Sequence, residues 1–429
     1  MYIGVDDTDS VRGMCTTYLA TELIREFGEF DLLEHPRLVR LNPNVPWKTR
    51  GNGAIALKLG NGSGRPKTIG ELDGKPVECF PSGTNTKPTE GHYERACRVI
   101  EDLAMFEDAN TNPGLIMTSR KPPQALYWGA VREVVDLKRH MALAKPEFSK
   151  GWKNNRGLIG AISAVAWRPR APTHELIAYR EQIMWGKPRN INEASVRKMD
   201  RAFPTTFNNY DYEEMHMVIA PASPCPILYG IRGDKEQDLP EAAAAVRSER
   251  IARHMIFLTN QGTDDHITRT SISRLEPFTS VSVIGNVTSA PRTIKGGHLI
   301  FSLSNGHNVV DCTIYEPAKS FRRIGEVLVP GDRLLVMGGV REKPFTINVE
   351  KVRIQKLANV REKVANPMCP KCSKRMKSIG KDQGYRCSCG KKVGENEAEF
   401  RALRRAASTG WYEPPVGSRR HLSKPLKRM

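Results

Sequence analysis

Three aspartates, Asp6, Asp7 and Asp9, stand within four consecutive positions close to the start of the chain. Residues 2–5 before them have the apolar pattern of a short buried strand, and the apolar residues of 18–27 recur with helical spacing. The carboxylates therefore lie where a strand ends and a loop leads into a helix, which is the edge at which α/β sheets bind ligands. A solvated polar loop is the alternative.

A second group of residues that could do chemistry consists of four cysteines near the C-terminus. They form a C-x-x-C pair and a C-x-C pair with 14 residues between the pairs, namely Cys369, Cys372, Cys387 and Cys389. Four thiolates at this spacing are typical of a closed, tetrahedral and therefore structural Zn²⁺ site. The chain has nine cysteines, an odd number, which favours metal binding in a reducing cytoplasm over a disulfide framework. Two unrelated pairs of free thiols are the alternative.

Composition limits the class of protein and of partner. The 429 residues are 39% hydrophobic, so we expect several globular domains rather than a disordered chain. There is no 18-residue apolar run and no charged-then-apolar leader, so we expect no membrane span, no secretion and a cytoplasmic location. The net charge is +19, and residues 361–429 hold 18 Lys or Arg against 6 Asp or Glu. This concentration of positive charge predicts a nucleic-acid partner, with a solvated basic face as the alternative.

The elements that must position these residues fall into four predicted domains, and the fold class is multidomain α/β plus α+β. Residues 1–171 alternate strand-like and helix-like stretches. Residues 172–272 follow the order strand–helix–strand–strand–helix–strand, which is the ferredoxin-like order, with residues 215–221 as the second strand. Residues 273–358 contain five strands and a short helical piece, the pattern of an OB-fold β-barrel. Residues 359–429 hold the zinc ribbon and a basic tail.

Several motifs together resemble the archaeal tRNA(Ile) 2-agmatinylcytidine synthetases over nearly the whole chain. They are GVDDTDSVRGMCTTYLA, RLNPNVPWKTRGNGA, FNNYD, CPILYGIRG, TNQGTDDH, the zinc ribbon and RRHLSKPL. The C-x-C second pair of the ribbon departs from the usual C-x-x-C. The resemblance implies a kinase-like α/β domain over 1–171, followed by the ferredoxin-like, OB-fold and zinc-ribbon domains.

The resemblance also implies an activity. Members of this family use ATP to join agmatine to C2 of the wobble cytidine in the CAU anticodon of an isoleucine tRNA, so that AUA is decoded as isoleucine. It implies AMP and phosphate as products, and autophosphorylation of a threonine. The GMCTT stretch places that threonine at Thr16, with Thr17 as the second choice.

The implied reaction assigns roles to the residues. A cytosine 2-oxo group leaves readily only after it has been phosphorylated, and phosphoryl transfer depends mainly on charge neutralisation. Asp6, Asp7 and Asp9 suit one or two Mg²⁺ ions against the triphosphate, and Asp7 or Asp9 is also a candidate general base. The KTRGNG stretch offers donors to the phosphates of ATP, namely Lys48, Arg50, Gly51, Asn52 and Gly53.

Agmatine carries a guanidinium group, which a carboxylate binds through two parallel hydrogen bonds. Asp211, Asp264 and Asp265 are the candidates, with caps or turns as the alternative role, and His266 is expected to be a structural hydrogen-bonding group. The target base must leave the anticodon stack to reach the site. The OB-fold, ribbon and tail are expected to bind the rest of the tRNA.

Two other functions account for part of the sequence. A haloacid-dehalogenase-like phosphotransferase acting on RNA fits DTDSV, with Asp7 as the nucleophile, but the predicted first domain has no convincing downstream acidic pair. A non-catalytic RNA-binding protein fits the OB-fold and ribbon, but it leaves the aspartate cluster unexplained.

Overall fold

The computed structural model describes residues 1–48 and 51–429, and its first unit is a mainly antiparallel sheet covered by helices. The strands of this unit are β1 Tyr2–Asp6, β2 Asp31–Leu32, β3 Arg37–Arg40, β4 Gly53–Ser63, β5 Lys67–Leu72, β6 Lys75–Cys79, β7 Ser82–Asn85, β8 Gly114–Thr118 and β9 Phe148–Gly151. The helices are α1 Thr16–Glu26, α2 Glu90–Leu103, α3 Ala125–Arg132, α4 Leu137–Ala144 and α5 Gly157–Ala166.

Strand β1 lies in the middle of this unit and is buried along its whole length. It pairs antiparallel with β4 on one side and β8 on the other, and α5 packs directly across it. The approach is so close that a Cβ atom on Gly4 would clash with the carbonyl oxygen of Ala161. Residues 157–166 form a helix, and their small side chains allow it to pack this near to the strand. The end of β1 is thereby fixed in position.

The second unit is built from β10 Thr173–Arg180, α6 Glu193–Ala202, β11 Thr206–Phe207, β12 Tyr210–Asp211, β13 His216–Met217, β14 Ile227–Gly233, α7 Leu239–Ala245 and β15 Ile251–Thr259. Its main strands lie in the antiparallel order β11–β14–β10–β15. Along the chain, the second of these four main strands is Thr206–Phe207. Residues 215–221 were predicted for that place, and that part of the prediction is wrong. Only His216–Met217 of the predicted strand pairs, in a separate two-stranded sheet with β12.

The two units share one sheet. Strand β15 pairs in parallel with β3 and antiparallel with β5, which joins the described strands of both units into a sheet of 13 strands. Buried side chains of both units form one hydrophobic cluster, including Leu19, Leu57, Ile177 and Phe257. Because the units are joined in this way, their facing surfaces form a stable wall for the cavity described below.

The third unit is a closed β-barrel with its own core. Its elements are β16 Ile267–Arg269, β17 Ser280–Val287, β18 Arg292–Thr293, β19 Leu299–Ser304, β20 Val309–Ile314, α8 Ile324–Val327, β21 Arg333–Val340 and β22 Thr346–Lys356. Pairing runs β17–β21–β22–β20–β19 and returns to β17, so the sheet closes on itself. Strands β20 and β22 are parallel, and the other neighbours in this ring are antiparallel.

The C-terminal part contains short strands, namely β23 Arg361–Ala365, β24 Lys377–Ser378, β25 Tyr385–Arg386, β26 Lys392–Val393, β27 Glu399–Ala402 and β28 Gly410–Tyr412. Strands β24, β25 and β26 form a small sheet beside the cysteines, and β23 pairs with β27. Strand β28 returns to the barrel and pairs with β22. In the described ranges of the chain, none of the helices has the length and apolar character that crossing a membrane requires.

Candidate active site

A cavity of about 520 Å³ lies between the first and second units. Its wall includes the aspartate cluster, the start of α1 and the segment 218–223 of the second unit. It also includes Lys48, Gly51, Asn52 and Gly53 of the KTRGNG stretch, which we call the glycine-rich loop. The segment 218–223 is mostly apolar and is not a strand, and its Pro221 has no N–H with which to continue one. The volume is within the range of sites that enclose a small ligand.

The carboxylates of Asp6, Asp7 and Asp9 all reach this cavity from the end of β1 and the loop after it. The Asp6 side chain packs against α5 so closely that a Cβ atom on Gly160 would clash with its Oδ2 atom. Asp7 has a left-handed backbone with φ of 57°, which Asp and Asn tolerate better than most residues. A strained backbone at the point where the carboxylates turn into the cavity is a feature often found at functional sites.

Burial and mutual repulsion disfavour the charged forms of Asp6 and Asp7. Burial first, and then the charge of Asp7, holds the pKa of Asp6 well above its usual range. Burial raises the pKa of Asp7 to about 6, although Arg156 opposes the shift with Nη2 at 3.9 Å from Oδ2. The backbone N–H of Asn112 also donates to Asp7 Oδ2, at 3.1 Å. Crowded carboxylates of this kind gain from a cation, and an oxygen donor set suits Mg²⁺.

The three aspartates do not by themselves form a closed metal site. Among the described residues, only the four cysteines form a group of three or more His, Cys, Asp or Glu ligands within 4.8 Å of one another. The aspartate arrangement fits Mg²⁺ nonetheless, because that ion usually takes one or two carboxylates and completes its shell with phosphate oxygens and water.

Thr16 and Thr17 are buried in the cavity wall at the first turn of α1. The Thr8 hydroxyl donates to Thr16 Oγ1 at 3.1 Å, whereas Thr17 Oγ1 lies 3.1 Å from Cys15 Sγ. Backbone N–H groups at a helix N-terminus favour a negatively charged group nearby. Both hydroxyls therefore have a place beside the aspartates, and the choice of Thr16 over Thr17 stays a prediction.

The glycine-rich loop forms another part of the wall. Lys48, Gly51, Asn52 and Gly53 line the cavity, while the predicted phosphate donor Arg50 lies outside the described residues. Burial, followed by the neighbouring charge of Arg420, lowers the pKa of Lys48 to about 8. Asn52 has φ of 47° and donates through Nδ2 to the carbonyl of Asn42 at 2.9 Å.

Sequence reasoning missed several residues of the wall, and the most informative is Arg40 at the end of β3. Its buried Nε atom has no hydrogen-bond partner among the described residues, and its Nη1 atom is 3.5 Å from the carbonyl of Gly51. The side-chain amide of Asn260 fixes the Arg40 backbone, accepting from its N–H at 2.7 Å and donating to its carbonyl at 2.8 Å. A guanidinium held in this way is suited to an anion. The signal in the sequence that could have identified Arg40 is its place as the first residue of the RLNPN motif.

The cavity contains four further residues that no local pattern indicates, namely Glu133, Arg156, Glu175 and Arg232. Glu175 and Arg232 form a buried pair, with Nε of Arg232 3.0 Å from Oε1. Glu133 is exposed to the cavity mouth and has no side-chain partner among residues 1–48 and 51–429. Among the described residues that line the cavity, the carboxylate of Glu133 is therefore without a side-chain partner, whereas that of Glu175 is paired.

The three carboxylates predicted for agmatine lie outside this cavity. Asp211 accepts from the N–H groups of Glu213 and Gly417, at 3.0 and 2.9 Å. Asp264 binds Nζ of Lys351 at 2.6 Å, and Asp265 accepts from the hydroxyl of Tyr127. Only the contact of Asp211 with Glu213 is a turn contact, as in the alternative interpretation; Asp264 and Asp265 instead make contacts with residues distant in the chain. The role of these three residues in agmatine binding stays a prediction. His266 is buried and contacts Glu350 at 3.0 Å, as a structural group does.

Asp211 and Asp264 instead bind the C-terminal strap, which we define as residues 413–429. Oδ1 of Asp264 accepts from the N–H of Lys424 at 2.7 Å, and the N–H of Asp264 donates to the carbonyl of Leu422 at 2.9 Å. The basic tail is therefore folded against the protein, and several of its cationic side chains have internal partners.

The four cysteines form the metal centre that their spacing predicts. Their sulfur atoms all lie within 4.8 Å of one another, with Cys369 to Cys389 at 3.6 Å and Cys372 to Cys387 at 3.4 Å. The shorter C-x-C pair therefore still brings both of its thiolates to the cluster. Four converging sulfur ligands suit Zn²⁺, and a site without a free position is structural.

We expect purified protein to contain about one zinc per chain, and Cys372→Ser to lose it, because the tetrahedral set would lack one thiolate. Elemental analysis measures the zinc. Cys97→Ala, which removes a buried cysteine of α2 outside the cluster, is the control and keeps its zinc. Freshly purified wild-type protein without zinc would contradict the assignment.

Comparison with known proteins identifies these units. Residues 2–153 match the family model of the TiaS TCKD domain, residues 155–266 that of the TiaS FLD domain, and residues 366–405 that of the TiaS C-terminal zinc ribbon domain.

Similar full-length proteins are also known. TiaS of Methanocaldococcus jannaschii, a 2-agmatinylcytidine synthetase of isoleucine tRNA, is 40% identical over 440 aligned residues, covering 100% of this chain and 98% of the relative. The crystal structure of TiaS with isoleucine tRNA and ATP has a TM-score of 0.84 and 36% identity, and that of TiaS with the tRNA, AMPCPP and agmatine has 0.82 and 32%. Both alignments cover 100% of this chain and 97% of the solved one. The chain therefore belongs to the TiaS family of tRNA(Ile) 2-agmatinylcytidine synthetases.

Proposed function

We propose that this protein uses ATP to join agmatine to C2 of the wobble cytidine in the CAU anticodon of an isoleucine tRNA, giving 2-agmatinylcytidine. The observation that carries the proposal is a cavity that is lined by the aspartate cluster, two threonines at a helix N-terminus and several cationic side chains. Relatives that are similar over their full length carry the name of this activity and have been crystallised with tRNA, ATP and agmatine. A non-catalytic RNA-binding protein, or a phosphotransferase using Asp7 as nucleophile, accounts for less of this arrangement.

The chemistry requires activation of the cytosine 2-oxo group. Transfer of a phosphoryl group to that oxygen turns it into a leaving group, and the primary amine of agmatine then displaces phosphate at C2. Mg²⁺, when bound by Asp6, Asp7 and Asp9, neutralises charge on the phosphates of ATP. Further positive charge for the phosphates of ATP would come from two arginines of the protein, Arg40 beside the glycine-rich loop and Arg156 beside Asp7.

The glycine-rich loop is proposed to hold the nucleotide. Lys48 and the backbone of Gly51, Asn52 and Gly53 face the cavity, and Arg50 is proposed to join them from the same loop. Backbone groups near glycines can approach phosphates closely, because no Cβ atom stands in the way. The threonine at residue 16 is proposed to receive a phosphoryl group from ATP bound there.

For agmatine we propose a place at the mouth of the cavity near Glu133. This carboxylate has no internal partner in the described part of the chain, whereas Glu175 is already neutralised by Arg232. A guanidinium group would pair with the free carboxylate, and its primary amine would point inward to the reacting base. The apolar segment 218–223 offers a surface for the methylene chain between the two ends.

The remaining units are proposed to bind tRNA. The barrel has the strand order and the parallel closing pair of an OB-fold, and the order in the second unit is that of a ferredoxin-like fold. We accordingly propose a kinase-like domain over 1–171, a ferredoxin-like domain over 172–272, an OB-fold over 273–358 and the zinc ribbon with its tail over 359–429. We also propose that the protein lies in the cytoplasm, because its proposed substrates, tRNA and ATP, are found there.

A direct assay tests this function. The protein is incubated with ATP, labelled agmatine and an isoleucine tRNA transcript with the anticodon CAU, and the digested RNA is analysed for a labelled nucleoside. We expect label at one cytidine-derived nucleoside, and none when the transcript has the anticodon UAU, because that control has no wobble cytidine. Hydrolysis of ATP without any label in RNA from the CAU transcript would contradict the proposal.

A further inference from the structure

The C-terminal strap is attached to all three larger units of the protein. Arg428 donates to Asp234 at 2.7 Å and stacks on Phe207 at 5.0 Å in the second unit. Lys351 of the barrel donates to the carbonyl of Lys424 at 2.7 Å. Leu422 is only 2% exposed and is buried in a cluster of the first unit. These contacts fix the strap firmly enough for it to position a side chain.

That side chain is His421, which the strap places in the wall of the cavity. The carbonyl of His421 accepts from the N–H of Gly262 at 2.8 Å, so the backbone is fixed at this residue. The ring is exposed and faces the cavity. A Cβ atom on Gly51 would lie 3.3 Å from both Cδ2 and Nε2 of the ring, so the ring lies directly beside Gly51 and leaves little room for a side chain at that position.

The charge of the surroundings keeps this ring neutral. Arg40 is the largest cause, followed by burial and then Arg232, and together they hold the pKa of His421 well below its usual range. A neutral imidazole can pack beside Arg40 without repelling it, and it does not neutralise the guanidinium as a carboxylate would. The strap therefore places a neutral ring beside Arg40 and leaves the charge of Arg40 available for an anion.

We propose that His421 is a positioning residue of the catalytic cavity, which holds the glycine-rich loop at Gly51 in the conformation that binds the phosphates of ATP. This inference rests on the proposed function of the loop. It also gives the tail a second role, since the strap would support the nucleotide site in addition to the tRNA binding proposed for its unit. A residue that positions the loop acts on the geometry with which the loop binds ATP, and small displacements of binding groups have large effects on reaction rates.

The test measures binding of a non-hydrolysable ATP analogue to the full-length protein in the absence of tRNA. For His421→Ala we expect about tenfold weaker binding, with a raised KM for ATP and a smaller change in kcat, because the loop loses its support. His421→Gln, which keeps a neutral side chain of similar reach, should recover most of the affinity. Met429→Ala is the matched control on the same strap, since its side chain is half exposed and away from the cavity.

A second measurement compares tRNA affinity over a range of salt concentrations. We expect the same slope for His421→Ala and wild type, because each lost phosphate contact would reduce the slope. Unchanged binding of the analogue in His421→Ala, or a reduced salt slope with unchanged nucleotide binding, would overturn the inference. If His421→Ala does not fold, a folded His421→Lys variant replaces it, since its charged side chain should disturb the loop. Wild-type affinity of that variant for the ATP analogue would overturn the inference as well. Wild-type protein that binds the analogue but does not ligate agmatine would refute the proposed function alone.

Discussion

Replacing Asp7 by Asn is expected to lower the rate of agmatine ligation by about a hundredfold or more, the size of effect typical for a lost transition-state contact. Asn has nearly the same shape and also tolerates the left-handed backbone of residue 7, so the loop should keep its conformation. The charge that balances the cation beside the phosphates is lost. The assay with labelled agmatine and the CAU transcript, run with both proteins, measures the effect.

Two controls separate chemistry from folding in this experiment. Asp73→Asn replaces another aspartate with a left-handed backbone, which is 56% exposed in the turn between β5 and β6, and it should keep wild-type activity. The affinity of Asp7→Asn for tRNA should also stay close to wild type. An active Asp7→Asn protein would mean that the aspartate cluster is only a polar loop.

The second large effect is expected for Thr16→Ala, which should abolish both phosphorylation of the protein by ATP and ligation of agmatine. A methyl group cannot accept a phosphoryl group, while the small change in size should leave α1 intact. Mass spectrometry of the protein after incubation with ATP locates the phosphate. We expect it on Thr16 of the wild-type chain and on no residue of the start of α1 in Thr16→Ala.

Thr17→Ala is the matched variant in this comparison, because Thr17 is equally buried and lines the same cavity. We expect it to remain phosphorylated at Thr16. Phosphate on Thr17 in the wild-type chain would assign the role to the neighbouring hydroxyl instead, and an unphosphorylated but fully active protein would exclude autophosphorylation from the reaction.

Local patterns in the sequence predicted much of this arrangement. The strand before Asp6, the helix after Thr16 and the four-cysteine cluster each depend on neighbours in the chain, and the structure contains all three.

The residues that sequence reasoning missed are those that only the tertiary fold brings together. Arg40, Arg232 and His421 come from three distant parts of the chain, and their joint effect is electrostatic, so no spacing rule reveals it. Asp211 and Asp264 were predicted to bind agmatine, whereas in the structure they hold the strap that carries His421. The segment 215–221 was predicted to be a strand because an apolar cavity wall and a buried strand have similar composition.

The central claim is that one cavity binds ATP between the aspartate cluster and the glycine-rich loop. Electron density for a non-hydrolysable ATP analogue in crystals of this protein tests it most directly. The account predicts phosphates between Asp6, Asp7 and Asp9 on one side and Lys48, Gly51 and Gly53 on the other. A nucleotide bound outside this cavity, with its phosphates away from the aspartates, would contradict it.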